Sequence, residues 1–333
     1  MNQSNKINTQ LQETLNCESF SLSESFIEAV EIVKQFVREE ITKEVEHKQL
    51  YYHNHVHAGT VAKRSEIIFQ EILPFWELIF LDTNAPDPTR INYLINICAI
   101  AHDMVQDFLP VTTPQSSRRR ETGISEKKTA QKLITYIRNL NAKYPENSRP
   151  FLETDIEMIS EAINATICVY EPQDESIYQP DLYDREQPIS IAARIIALAD
   201  LGGLGIEGIE AFFDEGILIF LEENPDLIPV IKKYFQDKRN YPEIDLQTPE
   251  YENLRQRLFR RSQFQLNFAK GRKNRLEREL AGLPERVIQV LKNRMFVYLT
   301  DETIQEIANK TPKNPQTNLE DLVKFFHLEK YIQ

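Results

Sequence analysis

The stretch Ile91-Asn92-Tyr93-Leu94-Ile95-Asn96-Ile97-Cys98-Ala99-Ile100-Ala101-His102-Asp103 reads as a helix that is apolar nearly all round. Pro88 stands just before it, where a first helical turn accepts proline because the missing N–H is not needed there. A helix with almost no polar face belongs at the centre of a core, wrapped by other elements. The flanking sequence supplies helical wrapping. Only nine glycines occur in 333 residues, and there is no Asn-Gly or Asp-Gly hairpin dipeptide. The expected fold class is therefore all-α.

Upstream, residues 1–19 are rich in Asn, Gln, Ser and Thr and read as a loose tail. Ser21, with Glu24 three residues on, signals a helix start. Phe26, Ile27, Val30, Val33, Phe36, Val37 and Ile41 then recur at helical spacing. A second helix opens at Tyr52-His53-Asn54-His55-Val56-His57-Ala58 and should kink or end at Pro74. A short helical piece at 75–81 and a loop at 82–88 lead into the central helix.

Downstream, Pro110, Pro114 and Arg118-Arg119-Arg120 break the pattern, so 110–123 reads as a loop and candidate lid with its arginines in solvent. Helices are expected at about 125–142 and 153–170, then a long loop at 171–188. The apolar helix 189–201 stops at Gly202-Gly203. More helix should follow to about 235, then a Pro-containing linker at 240–249. Residues 251–279 are polar and basic, and two further helices are expected at about 284–309 and 318–330. The organisation expected is a tail (1–19), a main helical domain (20–245) and a C-terminal helical extension (246–333).

A net charge of −12 excludes a surface given over to nucleic acid or anionic membrane, though a local basic site stays open. Cys17, Cys98 and Cys168 are far apart and odd in number, which excludes a disulfide framework. Cys98 and Cys168 sit in apolar helical patterns and read as core thiols. The first residues carry no apolar signal region, and nothing approaches about 18 consecutive apolar residues. A soluble cytoplasmic protein with no membrane partner is expected. The sequence is compatible with a homo-oligomer.

Histidine is scarce, and three of the six lie in 52–58. His53 and His57 share one helix face a turn apart. His55 points off that face. His102 and Asp103 are about 100° apart round one axis. Asp200 ends a buried apolar helix, where an unpaired charge is costly. His57, His102, Asp103 and Asp200 thus form a mixed N/O donor set for a divalent metal: Zn, Mn, Fe, Co or Ni. A carboxylate can also bridge to a second ion, Mg or Mn. Such a centre activates water and polarises a phosphoryl oxygen. The leaving oxygen then needs a proton, and histidine is the residue type that titrates near neutrality. His53, one turn from a ligand, is placed to give it.

These residues resemble the H…HD…D signature of the HD superfamily of metal-dependent phosphohydrolases. Tyr52-His53-Asn54-x-x-His57-Ala58 resembles the YHNxxHA motif of cyclic-nucleotide phosphodiesterases and of bacterial HD proteins, and Ala199-Asp200-Leu201 resembles the ADL at their last ligand. The resemblance spans roughly 50–205. It implies an all-α HD-domain bundle, His53 as general acid, and His57, His102, Asp103 and Asp200 as ligands, with Asp103 bridging and so part of the catalytic centre. Asn54 belongs to the motif. Glu126-x-x-Thr129-Ala130 and Thr166 resemble residues found around the family's metals.

The sequence also departs from the pattern. Where the phosphodiesterases carry HDxDH, the last histidine is Gln106 here. Gln265-x-x-Phe268 echoes the glutamine that grips the base in those enzymes. The basic residues of 251–279, Arg272 among them, are of the type that forks a phosphate. On an acidic protein the simpler reading is a solvated charged helix. The expected function is a metal-dependent phosphohydrolase acting on a small-molecule phosphate ester, a nucleotide or a relative of one. The alternative is a catalytically silent nucleotide-binding regulatory HD protein. A weaker third is nucleic-acid binding through 251–279.

Overall fold

The computed structural model describes residues 23–80, 85–111, 116–184, 188–240 and 248–332. The polar tail and Ser21 lie outside them. The chain is all-α, with thirteen α-helices among the described residues and two small hairpins. Helix α1 (Glu24–Lys48) is capped by Ser23, whose hydroxyl accepts from the Phe26 N–H at 3.3 Å. Next come α2 (His55–Ile72), the short α3 (Trp76–Ile79) after the Pro74 turn, and α4 (Pro88–Ala101). Then follow α5 (Ile124–Asn141), α6 (Glu153–Asn164) and α7 (Ile191–Asp200). Helix α4 packs against α1, α2, α6 and α7, as an apolar cylinder must. Leu94, Ile97, Cys98, Ala99 and Ala101 on it are fully buried.

The remaining helices are α8 (Ile209–Glu223), α9 (Ile228–Asn240), α10 (Pro249–Glu279), α11 (Glu285–Val290), α12 (Asp301–Lys310) and α13 (Leu319–Phe325). One core runs from Phe26 in α1 to Ile307 in α12, and a second joins α8, α9, α10 and α13 around Phe220, Leu254 and Leu322. Helices α8 and α10 contribute to both, through Phe212 and Ile217 on one and Ala269 and Leu258 on the other. The C-terminal helices thereby close over the first bundle.

Three segments differ from the sequence expectation. Strands β1 (Phe108–Pro110) and β2 (Arg118–Arg120) pair antiparallel where a lid loop was expected. Arg118 is not in solvent. It donates to the carbonyls of Glu222, Lys48 and Gln49 and lies over the Phe108 ring. Helix α6 stops at Asn164, and β3 (Val169–Glu171) pairs with β4 (Ser176–Tyr178). Strands of three residues are too short for alternation to register in sequence. The helix expected at 284–309 is broken. After α11 the chain turns Phe296 into the core against Gly205, and Thr300 caps a new helix by accepting from the Thr303 N–H. No glycine or proline marks that break. Among the described residues no helix is long and apolar enough to cross a membrane.

Candidate metal centre

Three helix ends meet at one point. Asn54 is the N-cap of α2, so the helix starts at His55, and His53 lies in the turn before it rather than on one helix face with His57 as the spacing had suggested. Asn54 Oδ1 accepts from the backbone N–H of Val56 at 2.8 Å and of His57 at 3.4 Å, while its Nδ2 donates to the Tyr51 carbonyl. The asparagine therefore sets the angle at which His57 enters its helix. His102 ends α4, and its Nδ1–H donates to the Ala99 carbonyl at 2.8 Å. With that proton on Nδ1, the neutral ring carries its lone pair on Nε2. Asp200 ends α7, and Gln179 donates to its Oδ2 at 3.0 Å, leaving Oδ1 toward the imidazoles.

His57 Nε2 lies 3.2 Å from His102 Nε2, 3.2 Å from Asp103 Oδ2 and 3.5 Å from Asp200 Oδ1. His102 Nε2 lies 2.9 Å from Asp103 Oδ2 and 3.5 Å from Asp200 Oδ1. Donor atoms about 2.1 Å from one ion sit about 3.0 Å apart at right angles and about 3.4 Å apart in a tetrahedron. The four side chains therefore fit a shared divalent cation, and together they form a group that could hold a metal ion. A proton on His57 Nε2 serves one of these contacts at a time, whereas a cation would serve all four donors.

The charges agree. Burial alone would raise the carboxyl of Asp103, but the imidazoles of His102 and His53 hold it well below the usual range. Asp200 is held low against burial by His102 and His57. Conversely, burial lowers both imidazoles, while Asp103 foremost lifts His57 and His102 above their ordinary value. Two ionised carboxylates, largely shielded from water, flank the same pair of imidazoles, and the space among them favours a positive charge.

His53 stands apart from the four. Its Nε2 is 3.7 Å from Asp103 Oδ2, beyond hydrogen-bond length, and it lines the adjoining cavity. Its Nδ1 is bonded to Glu222 Oε1, and Glu222 Oε2 accepts from the backbone N–H of Tyr52 at 2.9 Å and of His53 at 3.1 Å. Sequence reasoning missed Glu222. The signal was there: it follows Ile217, Ile219, Phe220 and Leu221 on α8, a carboxylate ending an apolar run just as Asp200 does.

Burial raises the Glu222 carboxyl, but the His53 ring and the two N–H groups bring it down to about 2. A depressed carboxyl contributes stability above its unfolded value and loses it as pH falls through the folded one. The shift from 4.5 to about 2 is equivalent to about 3 kcal/mol. Glu222→Gln should therefore flatten the fall in urea-unfolding free energy between pH 4.5 and about 2. Parallel pH curves for variant and wild type would contradict this.

Around the centre, Glu126 on α5 is buried, its carboxyl raised by burial despite Arg120 nearby. Thr129 Oγ1 accepts from the Val105 N–H at 3.0 Å and ties α5 to the chain after Asp103. The Thr166 hydroxyl donates to the Ile163 carbonyl at 2.8 Å and borders the cavity. Cys168 is on the cavity wall rather than in the core, with burial pushing its thiol up. His55 faces outward to Thr42. Arg120 does not lie in solvent: its NH1 donates to Asp103 Oδ1 and to Gln106 Oε1, both at 3.1 Å.

The cavity encloses about 380 Å³, and α10 forms its far wall. Arg257, Arg261, Gln265, Phe268 and Arg272 recur there at helical spacing, so this face of 251–279 looks inward and is not a solvated surface. Gln265 donates to the Phe212 carbonyl at 3.2 Å, and its amide fills the space a Cβ at Gly216 would need. Arg272 is buried and paired with Glu279. No family model, no curated protein and no solved structure matches this chain, so the resemblance of its motifs rests on the residues themselves.

Proposed function

We propose that this protein is a metal-dependent phosphohydrolase that cleaves a phosphate ester of a nucleotide or a related small molecule. The observation that carries this reading is the four-donor group with His53 beside it, held by Glu222 and outside the donor set. A divalent ion held by His57, His102, Asp103 and Asp200, of the transition-metal kind the N/O set suits, would acidify water and polarise a phosphoryl oxygen. Water that has lost a proton to solvent bonds to phosphorus as the ester P–O bond breaks, and His53 gives the departing oxygen a proton from Nε2. Glu222 holds the Nδ1 side of that ring and so keeps Nε2 toward the cavity.

The cavity supports a substrate of nucleotide size, since ligand pockets of this kind run from about 300 Å³ upward. Phe264 and Phe268 stand nearly parallel on its wall at 21°. Arg261 lines it with no carboxylate at ion-pair distance among the described residues, and its Nε has no hydrogen-bond partner. Aromatic surface and guanidinium together favour a planar, anionic molecule.

Hydrolysis by the purified protein across a panel of cyclic and linear nucleotides and an activated aryl phosphodiester, with Mn, Mg, Co or Ni, tests the reading. Turnover that disappears in Asp103→Ala supports it. Metal binding with no turnover on any substrate favours the second reading, a catalytically silent nucleotide-binding regulatory protein. Gln106 in place of the family's histidine is the observation on that side.

A further inference from the structure

The two oxygens of Asp103 face different positive groups. Oδ2 faces the imidazole pair, at 2.9 Å from His102 and 3.2 Å from His57. Oδ1 accepts from Arg120 NH1 at 3.1 Å and from Gln106 Nε2 at 3.0 Å. A carboxylate that bridges two cations offers one oxygen to each. Here the second oxygen already carries a guanidinium, whose charge does not titrate away.

Gln106 clamps that arrangement. It is fully buried, its backbone N–H donates to Glu44 at 2.9 Å, and its Oε1 accepts from the same Arg120 nitrogen that reaches Asp103. A neutral imidazole at this position has one N–H and one lone pair on opposite sides of its ring. The glutamine amide sets donor and acceptor side by side, so it can serve Asp103 and Arg120 together. Glu126 is 3.8 Å from Arg120 NH1 and balances the charge. Of the guanidinium nitrogens of Arg120, only NH1 has a hydrogen-bond partner among the described residues, and the side chain lines the cavity. The rest of the fork is therefore available to a phosphoryl oxygen.

We propose that the centre holds one divalent ion and that Arg120 occupies the place of a second cation, supplying its positive charge to the substrate phosphoryl group. The substrate half of this rests on the phosphohydrolase reading above, and the ion half on the four-donor group. A second ion on Asp103 Oδ1 would have to displace the guanidinium or share an oxygen with it against like-charge repulsion.

The test counts ions. Chelator-stripped protein is titrated with Mn²⁺ by calorimetry, and the Mn content after gel filtration is read by mass spectrometry. Wild type and Arg120→Lys are expected to hold one ion per chain. Arg120→Ala and Arg120→Gln, which remove the charge, are expected to admit a second. Arg120→Gln retains much of the side chain's length, so the comparison survives if the alanine variant misfolds. Two ions in the wild type, or one ion in all four proteins, would overturn the proposal. No ion in the wild type would instead overturn the four-donor centre itself, an outcome the same titration separates from the others.

Discussion

Asp103→Ala is expected to lower divalent-metal affinity by at least about 100-fold, the loss that even an outer partner of a ligand can cost. Any hydrolysis of the ester panel is expected to go with it. Asp103 Oδ2 is the oxygen nearest to both imidazole nitrogens, at 2.9 and 3.2 Å. Its other oxygen anchors Arg120 and Gln106. One substitution therefore removes a donor, a negative charge and the anchor of a half-buried guanidinium. Arg120 would be left with Glu126 as its nearest carboxylate, 3.8 Å away. Mn²⁺ calorimetry beside the phosphate-ester panel reads both effects, and a thermal melt checks that the fold survives. A variant that binds Mn²⁺ as tightly as the wild type would remove Asp103 from the ligand set.

His53→Ala is expected to behave in the opposite way: metal affinity unchanged, turnover of alkyl esters down about 10²- to 10⁴-fold, the usual worth of a positioned general acid. The separation follows from geometry, because His53 Nε2 lies 3.7 Å from Asp103 Oδ2 and is not among the four donors. An alkyl leaving oxygen is strongly basic and needs the proton. An activated aryl oxygen leaves without it, so that substrate should lose far less. The Glu222 carboxylate holds the His53 ring and the Tyr52 and His53 backbone N–H groups, so adding Glu222→Gln to His53→Ala should cost little more activity, a non-additivity expected of residues that work as a unit. Equal losses on alkyl and aryl esters would show that His53 is not the acid.

Much of this was legible in the order of residues. The apolar run of 91–101 demanded a central helix, and α4 is one. The histidine-rich stretch holding His57, the pair His102-Asp103 and the lone carboxylate of Asp200 picked out the four residues that meet at the centre, while the shared helix face expected for His53 and His57 is absent because α2 begins at His55. Each of these signals is local: a helical period, an adjacent pair, a charge at the end of an apolar run. Tertiary structure alone decided who partners whom. Glu222 reaches His53 only because α8 packs beside the start of α2. Arg120 reaches Asp103 only because two three-residue strands pair, which no period of so few residues can announce. Whether the arginines of α10 face water or a cavity depended on where that helix docked. A charged side chain has the same sequence signature in either place, and its partner is set by long-range packing that local pattern does not record.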